Sequence, residues 1–96
     1  MRVLAIFRAE GDPDDLLARY DKTLPAATAC SPVRPEVHVC ARTDSGIVMV
    51  DVWASRQDLL QGVVQNDEFQ ARWDAAGWPD EVIDVYEIHN QGWPVS

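Results

Sequence analysis

The sequence contains a single lysine, Lys22, and eight basic residues against sixteen acids, for a net charge of −8. Binding a nucleic acid needs clustered Lys and Arg to displace counterions, so a polyanion partner is disfavoured. An anionic membrane surface is disfavoured for the same reason. The only cysteines, Cys30 and Cys40, form no CxxC pair, so metal-type spacing is missing. They are expected to be free thiols, Cys30 under a helix end and Cys40 on a strand. No stretch approaches the roughly 20 apolar residues of a spanning helix. The run Val3-Leu4-Ala5-Ile6-Phe7 is too short for a signal-peptide core, and no cleavage-like region follows it. A cytoplasmic location with no membrane association is expected. GxGxxG, GxxxxGK and HExxH are all absent. With no phosphate cradle, metal motif or nucleophile motif, no metal and no cofactor are expected.

What is present is ordinary globular sequence, 47% hydrophobic and 25% charged. A chain of 96 residues makes one domain. At this size roughly 60–65% of the unfolded surface is buried, so the core is thin and pairing with a second copy would add stability. The domain is placed at 1–90, followed by a tail at 91–96 that carries Trp93. Seven of the eight bases are Arg, and Ala, Val and Asp are abundant, as a high-GC bacterial genome would give.

Val3 to Arg8 reads as strand one. Asp12 can cap a helix, Pro13 suits its first position, and Asp14 and Asp15 complement its positive end. This capping role consumes the acid cluster, which therefore does not read as a metal site. Leu16, Leu17, Tyr20 and Leu24 form a helical stripe. Pro25 lacks a backbone donor and should end or kink the helix there, with room for another turn over Ala26 to Cys30. Ser31-Pro32 and Arg34-Pro35 enforce extended chain.

Val37 to Thr43 and Ile47 to Ala54 read as strands two and three. Ser55 with Asp58 resembles a capping box. Leu59, Leu60, Val63 and Val64 continue a helical stripe, Asn66-Asp67 interrupts or recaps it, and Phe69, Trp73 and Ala76 resume it. Gly77 and Pro79 stop it. Glu81 to His89 is strand four. The order β-α-β-β-α-β predicts an α+β, ferredoxin-like domain. It has a four-stranded antiparallel sheet with both helices on one face.

Alternation divides the hairpin into two faces. Val37, Val39 and Ala41 join Val48, Val50 and Val52 if the loop is even. His38, Cys40 and Arg42 then join Ile47, Met49, Asp51 and Trp53. The uniform valine face is expected to pack on the helices. The second face is too apolar for bulk water, so a second copy of the sheet should cover it and enclose a cavity. Strand four has mixed faces that alternation does not assign.

Here the residues resemble a known group. Asp51-Val52-Trp53-Ala54-Ser55-Arg56-Gln57-Asp58-Leu59 is similar to the Trp-x-Ser ending of strand three, followed by a helix, in dimeric α/β barrel proteins. That superfamily contains the antibiotic-biosynthesis-type monooxygenases. Asp67-Glu68-Phe69 and Tyr86-Glu87-Ile88-His89-Asn90 are similar to its second helix and last strand. The resemblance implies a homodimer formed through the sheet face. It also implies a small-molecule cavity, with chemistries in the group that include cofactor-independent oxygenation and heme degradation. The heme branch places a His where this chain has Trp73 and an Asn where it has Phe7. Of that branch's residues only Trp53 is retained, so heme degradation is not expected.

Two functions fit. One is a homodimer that binds a small hydrophobic or aromatic molecule between sheet and helices without catalysis. The other is a cofactor-independent monooxygenase acting on an aromatic or polyketide-type substrate. In that case His38 is the candidate base and Asp51 orients it. Arg42 holds an anionic group, Trp53 stacks on a planar ring, and Met49 and Tyr86 line the site. Each residue also has a plainer role. A strand His is commonly a hydrogen-bonded structural residue, Arg42 and Asp51 can pair, and Trp53 can fill a core. An open pocket with His38 bonded to Asp51 favours the enzyme. A pocket plugged by Trp53, Met49 and Trp78 favours the binder.

Overall fold

The computed structural model describes residues 1–92; residues 93–96 of the expected tail, Trp93 among them, lie outside the described residues. The elements are β1 (Val3–Glu10), α1 (Pro13–Thr28), β2 (Val37–Arg42), β3 (Gly46–Trp53), α2 (Arg56–Leu59), a π-helical turn (Leu60–Val64), α3 (Asp67–Ala75) and β4 (Glu81–Glu87). The strands form one antiparallel sheet in the order β2-β3-β1-β4. Each crossover helix therefore links two strands separated by a third, which is the ferredoxin-like arrangement. No helix among the described residues is long and apolar enough to cross a membrane.

The caps act where the sequence puts them. Asp12 accepts from the Asp15 amide at 3.2 Å, Ser55 from Asp58 at 3.1 Å, and Asn66 from Phe69 at 3.0 Å. Asn66 thus recaps the chain after the π-helical turn, and the second helical region is split in two. Pro25 neither ends nor stops α1, which continues to Thr28. Thr28 Oγ1 donates to the Leu24 carbonyl at 2.8 Å, so the turn around the proline keeps a side-chain hydrogen bond. Cys30 and Cys40 are unbridged.

The hairpin register is even: Arg42 faces Ile47 and His38 faces Asp51. The two face sets are therefore those expected, but their destinations are reversed. The helices cover Met49, Asp51 and Trp53, together with Val3, Ala5, Phe7 and Ala9 of β1, while Cys40 is half-buried against the same core and His38 stays exposed at its edge. The valine face is the outer one, and Val39 on it is 49% exposed. The reason is apolar bulk. Phe7, Ile47, Met49 and Trp53 bury more area than a row of valines, so they win the helix side. His38 and Asp51 follow because alternation ties them to those residues. On β4, Arg8 opposite Val82 and Leu4 opposite Tyr86 place Val82, Asp84 and Tyr86 outside and Ile83 and Val85 inside.

Two glycines permit close approach. A Cβ at Gly46 would overlap the Ala9 carbonyl oxygen where β3 meets β1. A Cβ at Gly62, in the π-helical turn, would lie 2.8 Å from Trp53 Cη2 and 3.0 Å from Val33 Cγ2. Trp53 is only 1% exposed and cannot retreat. Gly62→Ala is expected to destabilise the fold by about 1–3 kcal/mol through overpacking. Urea denaturation checks this, and a midpoint equal to that of the unsubstituted protein would refute it.

Candidate functional site

Three elements converge on one buried carboxylate. Asp51 stands on central strand β3 and is 5% exposed. Burying an ionised group requires charge-assisted partners. Asp51 has two: its Oδ1 lies 2.5 Å from His38 Nδ1, and its Oδ2 accepts from Trp53 Nε1 at 3.2 Å. Trp53 shares the face because it sits two residues along the same strand. His38 is directly opposite Asp51 on β2.

Tyr20 of α1 completes the array. Its Oη lies 2.5 Å from His38 Nε2, and the two rings are nearly coplanar, with 5° between their planes. Burial, and then the negative charges of Cys40, Asp51 and Asp21, push the Tyr20 phenol up to about 12. The phenol therefore keeps its proton and donates it to Nε2. Nδ1–H then donates to Asp51, so the network assigns the imidazole tautomer. The Cys40 thiol beside it is also raised, first by burial and then by Asp21.

The array stands at the junction of two chambers. The first, about 240 Å³, runs from His38 and Asp51 past Phe7 and Met49 to Trp73, Trp78 and Glu81. The second, about 630 Å³, lies under the C-terminal part of α1 and is bordered by Leu24, Val33, Arg34, Trp53 and Val63. Leu24, His38, Asp51, Val63 and Phe69 border both. The cavity is open, not plugged. At the far end of the first chamber, Trp73 Nε1 donates to Glu81 at 2.7 Å. Burial raises the Glu81 pKa, while the Trp73 and Trp78 indoles favour its ionised form. Trp78 Nε1 is buried without a hydrogen-bond partner of ordinary geometry, so its effect on Glu81 is that of a nearby dipole. Among the described residues no group of His, Cys, Asp and Glu is arranged to hold a metal ion.

Of the residues expected at a site, the structure brings His38, Asp51, Met49 and Trp53 together and leaves two apart. Arg42 shares their face, but at the end of β2 it pairs with Asp14 in the first turn of α1. It borders neither chamber. Tyr86 lies on the outer face of β4 and is 54% exposed. Tyr20, Phe69, Trp73 and Glu81 were not among the expected site residues. The signal for Tyr20 was a polar-tipped residue inside the stripe Leu16, Tyr20, Leu24. Which strand residue meets its hydroxyl is set by the packing of α1 on the sheet.

A raised phenol pKa means the folded state holds the Tyr20 proton more tightly than the unfolded chain. Its contribution to stability is present below the unfolded value of 10.0 and is lost as pH rises towards about 12. Urea denaturation at pH 9 and at pH 11.5 should show this loss, and Tyr20→Phe should shrink it. An equal loss in the variant would show that the loss does not come from the Tyr20 phenol.

No family model matches the chain, and no curated protein matches it. Similar solved structures include two of SnoaB, a cofactor-independent oxygenase from Streptomyces nogalater, one of them a single-substitution variant. They superpose with TM-scores of 0.62 and, for the variant, 0.61. Each comparison covers 94% of this chain and 93% of the other, at 18% identity. Likeness at that identity establishes architecture. The chain thus shares the ferredoxin-like α+β fold of these structures.

Proposed function

We propose that this protein is a small-molecule enzyme of the cofactor-independent oxygenase type, acting on a hydroxylated aromatic ligand. The observation that carries the reading is the Tyr20–His38–Asp51 array at the junction of two chambers. The shared fold with an oxygenase supports it over a purely binding role.

In this reading the ligand hydroxyl takes the place of Tyr20 at His38 Nε2. His38 accepts the hydroxyl proton, and buried Asp51 stabilises the imidazolium that forms. The ligand becomes an electron-rich anion in a largely apolar cavity, where water competes little for its charge. The released Tyr20 hydroxyl can donate to the developing oxyanion. The anion supplies electrons to dioxygen, and a C–O bond forms at a ring carbon. The O–O bond then breaks, one oxygen remains as a carbonyl, and the other leaves as water. Overall, the hydroxyl O–H and one ring C–H of the ligand react with O₂ to give a quinone-type dicarbonyl and H₂O, so the ligand itself is the reductant.

Oxygen uptake in a screen of hydroxylated aromatics is the direct test. At least one compound should be consumed with uptake and should raise the melting temperature. His38→Ala and Asp51→Asn should each lower turnover by about 10²-fold or more, the low end of general-base effects. A screen with neither uptake nor stabilisation would end this reading.

The protein is further proposed to be a homodimer through the outer sheet face. Leu4, Ile6, Val39, Val48 and Val50 form an apolar surface there, on the side of the sheet away from the helices. A two-fold partner presenting the same surface would bury it. Light scattering at micromolar concentration should give twice the 10.8 kDa chain mass. Val39→Asp should shift the protein to monomer with its circular dichroism retained. A monomeric mass before substitution would rule the dimer out.

A further inference from the structure

The two chambers differ in charge. The first is bordered by Asp74, Asp80 and Glu81 beyond Asp51, with no Lys or Arg. The second is bordered by Arg34. In a chain with sixteen acids and eight bases, most arginines find a carboxylate. Arg2 pairs with Glu36, Arg8 with Asp84, Arg19 with Asp15 and Arg42 with Asp14. Among the described residues Arg34 pairs with no acid. Of the bases without an acid partner, it is the one that borders a chamber.

Its surroundings are held in place. Pro35 follows it and restricts its backbone to extended conformations. Val33, just before it, packs against the core and meets Gly62. Ser31 Oγ donates to the Val33 carbonyl at 2.5 Å, which fixes the turn leading into the segment. Arg34 is exposed and thus stands at the edge of a chamber whose other walls include Trp53 and the His38–Asp51 pair. A planar fork of five donors with no acceptor of its own matches a carboxylate. At about 630 Å³ the chamber falls inside the roughly 300–1,000 Å³ range of small-molecule sites, whereas the first, at about 240 Å³, falls below it.

We infer that the second chamber binds an aromatic carboxylate, with Arg34 holding its anionic group and the ring directed towards His38. The acids of the first chamber repel the same group, so the ligand enters in one orientation. This builds on the reading of the cavity as the reaction site and adds the charge class of the ligand.

Three matched probes test it by isothermal titration calorimetry at neutral pH and low salt: 1-naphthoate, 1-naphthylmethanol and 1-naphthylmethylammonium. Naphthoate should bind about tenfold more tightly than the alcohol, the scale of one charge-assisted pair. The ammonium should bind least. Arg34→Gln should bring naphthoate and the alcohol to near parity, while Arg56→Gln, at an exposed arginine away from both chambers, should keep the preference. Alcohol binding equal to naphthoate binding would overturn the inference, and so would a preference that survives Arg34→Gln. Tightest binding by the ammonium would overturn it in favour of the acid-bordered chamber, and no binding by any probe would overturn it outright. These probes are scored by binding alone. Oxygen uptake can fail while the carboxylate preference holds, and the preference can fail while uptake holds.

Discussion

A carboxylate buried on the central part of the sheet constrains the rest of this protein. Asp51 is 5% exposed and must be satisfied from within the fold. Trp53 supplies one donor from the same strand and His38 the other from the neighbouring strand. Tyr20 then meets the far side of the imidazole, which ties α1 to β2. Removing His38 or Trp53 would leave an oxygen of buried Asp51 without its partner, a cost comparable to that of a lost hydrogen bond. The Asp51–Trp53 end of the array is therefore part of the core, His38 and Tyr20 carry it towards solvent, and the chambers lie beside it.

The π-helical turn follows from the same site. Trp53 is fully buried, and the helix after β3 has to pass directly over its ring. Gly62 allows that passage, and the wide turn from Leu60 to Val64 carries Val63 to the border of both chambers. Asn66 then restarts a regular helix, whose Phe69 and Trp73 stack with centroids 5.6 Å apart and roof the first chamber. A local irregularity in the helix thus shapes the cavity.

Much of the fold was legible because its signals are local. Asp12, Ser55 and Asn66 cap helices through residues three positions on, so composition and spacing locate them. The even hairpin loop was readable from the matching of valines across it. Pro25 did not end α1, and the further turn expected after it formed as far as Thr28, because packing of that turn can offset a proline's local cost. The site was legible in part. His38 and Asp51 face one another because register is a property of two adjacent strands. Tyr86 and Arg42 do not join them. The face of β4 depends on its pairing with β1, and the partner of Arg42 is supplied by a helix start 28 residues away.

The sequence by itself determined the order of elements, the caps, and the grouping of His38, Asp51, Met49 and Trp53 on one face, since those follow from periodicities of 3.6 and 2. Only the tertiary structure decided which face the helices cover. Both faces are apolar, and the choice rests on the summed burial of Phe7, Ile47, Met49 and Trp53 against the valine row. Only it brought the Tyr20 hydroxyl to His38 and left Arg34 at the rim of a chamber, because those meetings depend on how a helix and a loop sit over the sheet, which no local pattern encodes.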